Sequence, residues 1–99
     1  MENRRRKTDL EIEYLLLSVI NAVPNPTLHT ICEATDLHPK TVKEKIKEFK
    51  ARSIVEEISI DDTCFYKIIM DKENFERYLK FLIEEIGRER IEELKKTYF

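Results

Sequence analysis

From Asp9 the apolar positions Leu10, Ile12, Leu15, Leu16, Val19, Ile20 and Val23 recur at helical spacing until Pro24 and Pro26 interrupt them. Tyr14 and Leu17 add a second apolar face, so this first helix is expected between two layers of structure. Thr27 is a suitable N-cap for a short second helix turning Leu28, Ile31, Cys32 and Leu37 inward. His38-Pro39 opens a third helix, because Pro suits a first turn. In that third helix Val42, Ile46 and Phe49 form a single narrow stripe.

After Arg52 the preference changes to β. Ile54 to Ile60 and Cys64 to Met70 are rich in β-branched and aromatic residues, and Asp61-Asp62-Thr63 separates them as a polar turn. Asp71 can cap a last helix carrying Phe75, Leu79, Leu82 and Ile86. Gly87 either ends that helix or interrupts it before Ile91, Leu94 and Tyr98. The expected class is α+β, mostly α: three helices, a two-stranded hairpin and a C-terminal helix or helix pair. The expected division is a basic flexible arm over 1–8, a folded domain over 9–70 and a C-terminal helical element over 71–99.

That order is the order of a winged helix-turn-helix domain, and Thr27 to Ile60 resembles the family residue by residue. The string Ile31-Cys32-Glu33-Ala34-Thr35-Asp36-Leu37-His38-Pro39-Lys40-Thr41-Val42, followed by Ile46, Phe49 and Ile54-Val55, carries the resemblance. It places a small residue in mid-helix, a Leu in the turn and a Thr-Val pair at the start of the recognition helix. Over roughly residues 9–86 the chain is similar to small ArsR- or MarR-like transcription regulators, which implies double-stranded DNA as partner.

Charge sharpens this. The 99 residues carry a formal net charge of −2, with 38 % charged and 41 % hydrophobic residues, which taken as a total argues against a polyanion. Residues 38–52 alone carry Lys40, Lys43, Lys45, Lys47, Lys50 and Arg52 against Glu44 and Glu48, a local +4. Residues 1–8 add Arg4, Arg5, Arg6 and Lys7 against one acid, a local +3. A duplex responds to where charge sits rather than to its sum. On a helical wheel Lys40, Lys43, Glu44 and Lys47 oppose the stripe, with Thr41 at the margin. Lysines suit phosphates or guanine edges, Thr41 a phosphate or thymine methyl, and Glu44 the N4 of cytosine. His38 at the start of the helix is also among the expected DNA contacts. Read alone, the same face is a solvated lysine surface with i, i+4 pairs to Glu44 and Glu48.

Two features depart from the family pattern. His38 stands where Ser or Thr commonly caps the recognition helix, and the wing tip is acidic, so the wing is expected to stay out of the duplex. The arm Arg4-Arg5-Arg6 can compensate in a narrow minor groove, and its deletion is expected to lower the salt dependence of binding. Alternatively, it is a solubilising terminus.

Self-association is the second expectation. Phe75, Leu79, Leu82 and Ile86 have 4-3-4 spacing, and Tyr78 broadens the apolar surface, as Tyr14 and Leu17 do on the first helix. These seven residues are the expected homodimer interface, which would set two recognition helices about one DNA turn apart. The alternative is that the last helix covers the first helix and the hairpin within one chain.

Other chemistry finds little to start from. His29, Cys32, His38 and Cys64 lack CxxC spacing, so the cysteines read as small packed hydrophobes, with neither metal nor cofactor expected. There is no phosphate-cradling Gly-rich loop and no nucleophile elbow, so an enzyme is not expected. No small-molecule ligand is evident. No run approaches the roughly 20 apolar residues of a membrane span, and no leader pattern opens the chain, which points to a cytoplasmic protein. The alternative to a DNA-binding regulator is a winged-helix module that binds another protein without specific DNA contact.

Overall fold

Helix α1 (Asp9–Ala22) begins one residue after Thr8, whose hydroxyl accepts the Glu11 N–H at 3.2 Å while Glu11 Oε1 accepts the Thr8 N–H at 3.3 Å. This reciprocal capping box is written in the sequence as Thr8-x-x-Glu11. The computed structural model describes residues 7–99. At its other end α1 stops at Val23, ahead of Pro24.

Helix α2 (Leu28–Thr35) is capped by Thr27, and α3 (Pro39–Ala51) by the imidazole of His38. Between them Asp36 adopts the left-handed conformation at φ 56° that ends α2. Thr35 is fully buried, and its hydroxyl is satisfied by donating to Ile31 O at 2.7 Å. Strands β1 (Val55–Ile60) and β2 (Thr63–Ile68) pair antiparallel with Ile60 opposite Thr63. The turn is therefore two residues, Asp61-Asp62, both at positive φ (49° and 66°). That is the type I′ pattern whose twist matches a hairpin, here made from two carboxylates without glycine. Thr63, expected in the turn, is in the strand, and β2 ends at Ile68 rather than Met70. Pro26 O accepts the Tyr66 N–H at 3.1 Å, which ties the α1–α2 loop to the outer edge of β2.

Helix α4 (Lys72–Ile86) is capped by Asp71, as its sequence predicts. Gly87, at φ 99°, ends α4 and leads directly into α5 (Arg88–Tyr98), deciding between the two alternatives in favour of a helix pair. The result is a winged-helix-like topology: three helices, a two-stranded hairpin and two C-terminal helices.

The core sits around α1, which packs against α2 and β2 and against α4. Leu15, Leu16 and Leu17 are all at 0 % exposure, pointing in successive directions around the helix, so α1 is enclosed by two layers as its two-faced pattern requires. Ile91 and Leu94 bring α5 into the same core.

This packing corrects part of the expected interface between copies. Tyr14 (5 % exposed), Leu17 (0 %), Phe75 (4 %) and Leu82 (0 %) are buried inside one chain and have no surface left for a second. The helix α4 covers α1, which accounts for the excess apolar surface on both. Tyr78, Leu79 and Ile86 are only partly buried, and Phe81 beside them is 48 % exposed. No described helix is long and apolar enough to cross a membrane.

Candidate nucleic-acid interface

Helix α3 is built to hold one face in and one face out. Pro39 fixes its first turn, and His38 Nδ1 accepts the Lys40 N–H at 3.1 Å, so the imidazole does the capping that a Ser or Thr hydroxyl commonly does. Val42, Ile46 and Phe49 are buried, which turns Lys40, Lys43, Glu44 and Lys47 to solvent and leaves Thr41 at the margin. The five side chains expected on this face are thus brought together as the wheel predicts.

The cations of residues 38–52 divide into two groups. Lys45 is buried, with its ammonium 3.3 Å from Glu48, 3.6 Å from Glu13 and 4.0 Å from Asp9. Desolvation alone would lower its pKa, but Glu48, Asp9 and Glu13 together overcome that and raise it, so the ammonium stays charged. Arg52 lies 3.5 Å from Glu13, and Lys50 lies 3.1 Å from Glu57 across to β1. Among the described residues Lys40, Lys43 and Lys47 make no ion pair, and nor does Glu44. The local +4 is therefore not one patch. Three cations are paired with carboxylates, and three stand on the outer face of α3.

The tip of the hairpin is an anionic, partly apolar knob. Asp61 and Asp62 are exposed, and Ile60 next to them is 56 % exposed. Two carboxylates repel phosphate, so α3 and not the hairpin carries the cationic surface. Arg4, Arg5 and Arg6 lie outside the described residues. Lys7, where the described chain begins, places its ammonium 4.8 Å from the centroid of the Tyr98 ring.

The residues considered for metal do not assemble. Among the described residues no three His, Cys, Asp or Glu side chains form a group able to hold an ion. His29 pairs with Glu33 at 3.3 Å on the exposed side of α2. Cys32 is half-buried, and burial pushes its thiol pKa up against the opposing pull of Lys43, which disfavours the reactive thiolate. Cys64 is within 3.3 Å of the Ser59 hydroxyl on the hairpin.

Sequence reasoning missed the buried polar side chains behind the basic face. Glu13 accepts a hydrogen bond from the Tyr78 hydroxyl and faces both Lys45 and Arg52. Burial first, and then the bond to Glu13, raises the pKa of Tyr78 and keeps the hydroxyl protonated as a donor. Glu11 is likewise buried and takes a two-pronged contact from Arg90, with both nitrogen–oxygen distances at 3.1 Å. The available signal was position: Glu11 and Glu13 alternate with Leu10, Ile12 and Tyr14 in a helix that is apolar around much of its circumference, where a buried carboxylate stays charged only beside a partner.

No protein-family model and no curated protein sequence matches the chain.

Proposed function

We propose that the protein is a sequence-specific, double-stranded DNA-binding transcription regulator of the cytoplasm, in the manner of the ArsR- and MarR-like regulators its sequence resembles. Helix α3 enters the major groove with Lys40, Lys43 and Lys47 toward phosphates and guanine edges, and Thr41 and Glu44 contribute further contacts. The observation that carries this reading is the division of cations on α3. Lys45 and Arg52 are held on Glu13, whereas Lys40, Lys43 and Lys47 stand on the outer face of α3 without an ion-pair partner among the described residues. Lysines there gain more from phosphates than from water through counterion release. Regulation then follows by occlusion or recruitment at a promoter and needs no reaction.

Action as a homodimer belongs to the same proposal, over a smaller surface than the sequence implies. Phe81, with the partly exposed Tyr78, Leu79 and Ile86, is the remaining apolar face of α4. A two-fold pair would read a palindrome with half-sites about one helical turn apart. Selection from a random duplex pool by the full chain is the test, with enrichment of one palindromic sequence as the expected result. No enriched sequence would remove the proposal.

A second reading rests on the exposed Ile60 beside Asp61 and Asp62, and on Phe81. Exposed apolar side chains rimmed by charge suit a protein partner. A winged-helix interaction module without specific DNA binding is supported if the pool enriches nothing and alanine at Lys40, Lys43 and Lys47 changes no interaction.

A further inference from the structure

Behind the basic face one carboxylate joins three helices. Glu13 of α1 accepts the Tyr78 hydroxyl of α4, while Lys45 and Arg52 approach it from α3 at 3.6 and 3.5 Å. The guanidinium carbon of Arg52 also lies 5.0 Å from the centroid of the Tyr78 ring. Tyr78 thus meets α3 twice, through its ring and through Glu13.

The apolar anchorage of α3 is a single stripe, Val42, Ile46 and Phe49. Apolar burial is non-directional, so a narrow stripe resists removal of the helix from the core far better than rotation about the helix axis. Lys45 and Arg52 flank that stripe on one side, and both make directional contacts to the buried Glu13 carboxylate, Lys45 from a buried position and Arg52 from a half-exposed one. On the other flank stands the more exposed Lys50–Glu57 pair, which holds orientation weakly.

We infer that Glu13 and Tyr78 are positioning residues for sequence reading: they set the roll of α3 and so the angle at which its outer side chains meet base edges. This rests on the DNA-binding proposal. Hydrogen bonds to base edges need close alignment, whereas phosphate contacts tolerate movement. Loss of the network therefore reduces discrimination between sequences and leaves the electrostatic part of binding in place.

The test uses the full chain with Tyr78→Phe, which keeps the ring and removes the hydroxyl. Affinity is measured for the selected duplex and a scrambled one across a salt series, beside Ile91→Val, a core change on α5 outside the network. The selected-to-scrambled ratio is expected to fall about tenfold in Tyr78→Phe, the size carried by one hydrogen bond to a charged partner. The salt slope should not move, and Ile91→Val should keep the ratio. An unchanged ratio in Tyr78→Phe, or an equal fall in Ile91→Val, overturns the inference alone. Arg52→Met, at a half-exposed position on the α3 side, replaces Tyr78→Phe if that variant does not fold, with the same expected ratio. Absence of duplex binding by the unaltered protein overturns the proposed function, and the inference with it.

Discussion

If Lys40, Lys43 and Lys47 meet phosphates, their removal has a signature that no change in stability can imitate. Each lysine that neutralises a phosphate contributes about 0.9 to the slope of log affinity against log salt, so replacing all three with alanine should lower the slope by about 2.7 per protomer, or about 5.4 for the bound homodimer. Between roughly 50 and 200 mM salt, the affinity of the triple variant should fall about fortyfold less per bound protomer than that of the unaltered protein. None of the three has an ion pair to lose among the described residues, and all are exposed, so stability should stay within about 0.5 kcal/mol. Anisotropy of a labelled duplex over a salt series reads the slope, and thermal unfolding reads the stability. Lys95→Ala, exposed on α5, is the control for total charge and should leave the slope in place. A change of less than about one for the triple variant, or an equal change for Lys95→Ala, would refute α3 as the contacting surface.

Three other outcomes follow from the packing and the titrating groups. Leu17→Ala should cost about 3 kcal/mol of unfolding free energy without changing the solution mass, because Leu17 is at 0 % exposure within one chain; dissociation of a dimer with no loss of stability would contradict that placement. Gly87→Ala should cost about 1–2 kcal/mol in a urea titration, since at φ 99° any side chain is strained even though a Cβ there meets nothing within 4 Å. Alkali should destabilise the fold: Tyr78 and Tyr66 are held above their ordinary value of 10.0 and Lys45 above 10.5, so the unfolded chain releases these protons first. Stability is then full below about pH 10 and declines as pH rises through the folded-state values, and urea midpoints in Tyr78→Phe should decline less steeply.

Local chemistry made several elements legible. Thr27, Asp71 and Pro39 mark helix starts because capping and φ restriction act within a few residues. The outer face of α3 was legible for a related reason: one apolar stripe leaves the facing of every other position settled, whichever neighbour covers the stripe. The hairpin turn was less so, since Asp61-Asp62 lacks glycine and the left-handed conformation of two successive aspartates depends on the strands they join.

Long-range partners were not legible. Glu13 and Tyr78 are 65 residues apart, Glu11 and Arg90 are 79, and nothing in local pattern says which charges will meet. The same holds for the apolar excess on α1 and α4. Periodicity reports that a face will be buried and is silent on whether the covering surface comes from the same chain.

By itself the sequence determined the class of fold, the order of elements and the side of α3 that faces solvent, because each depends on short-range geometry and side-chain polarity. Only the tertiary structure decided which of the six cations in residues 38–52 are structural and that α4 covers α1 within one chain. Both are questions of which distant surfaces meet. A charge changes its role when a carboxylate from another helix lies within 4 Å of it, and that proximity exists only after the chain has folded.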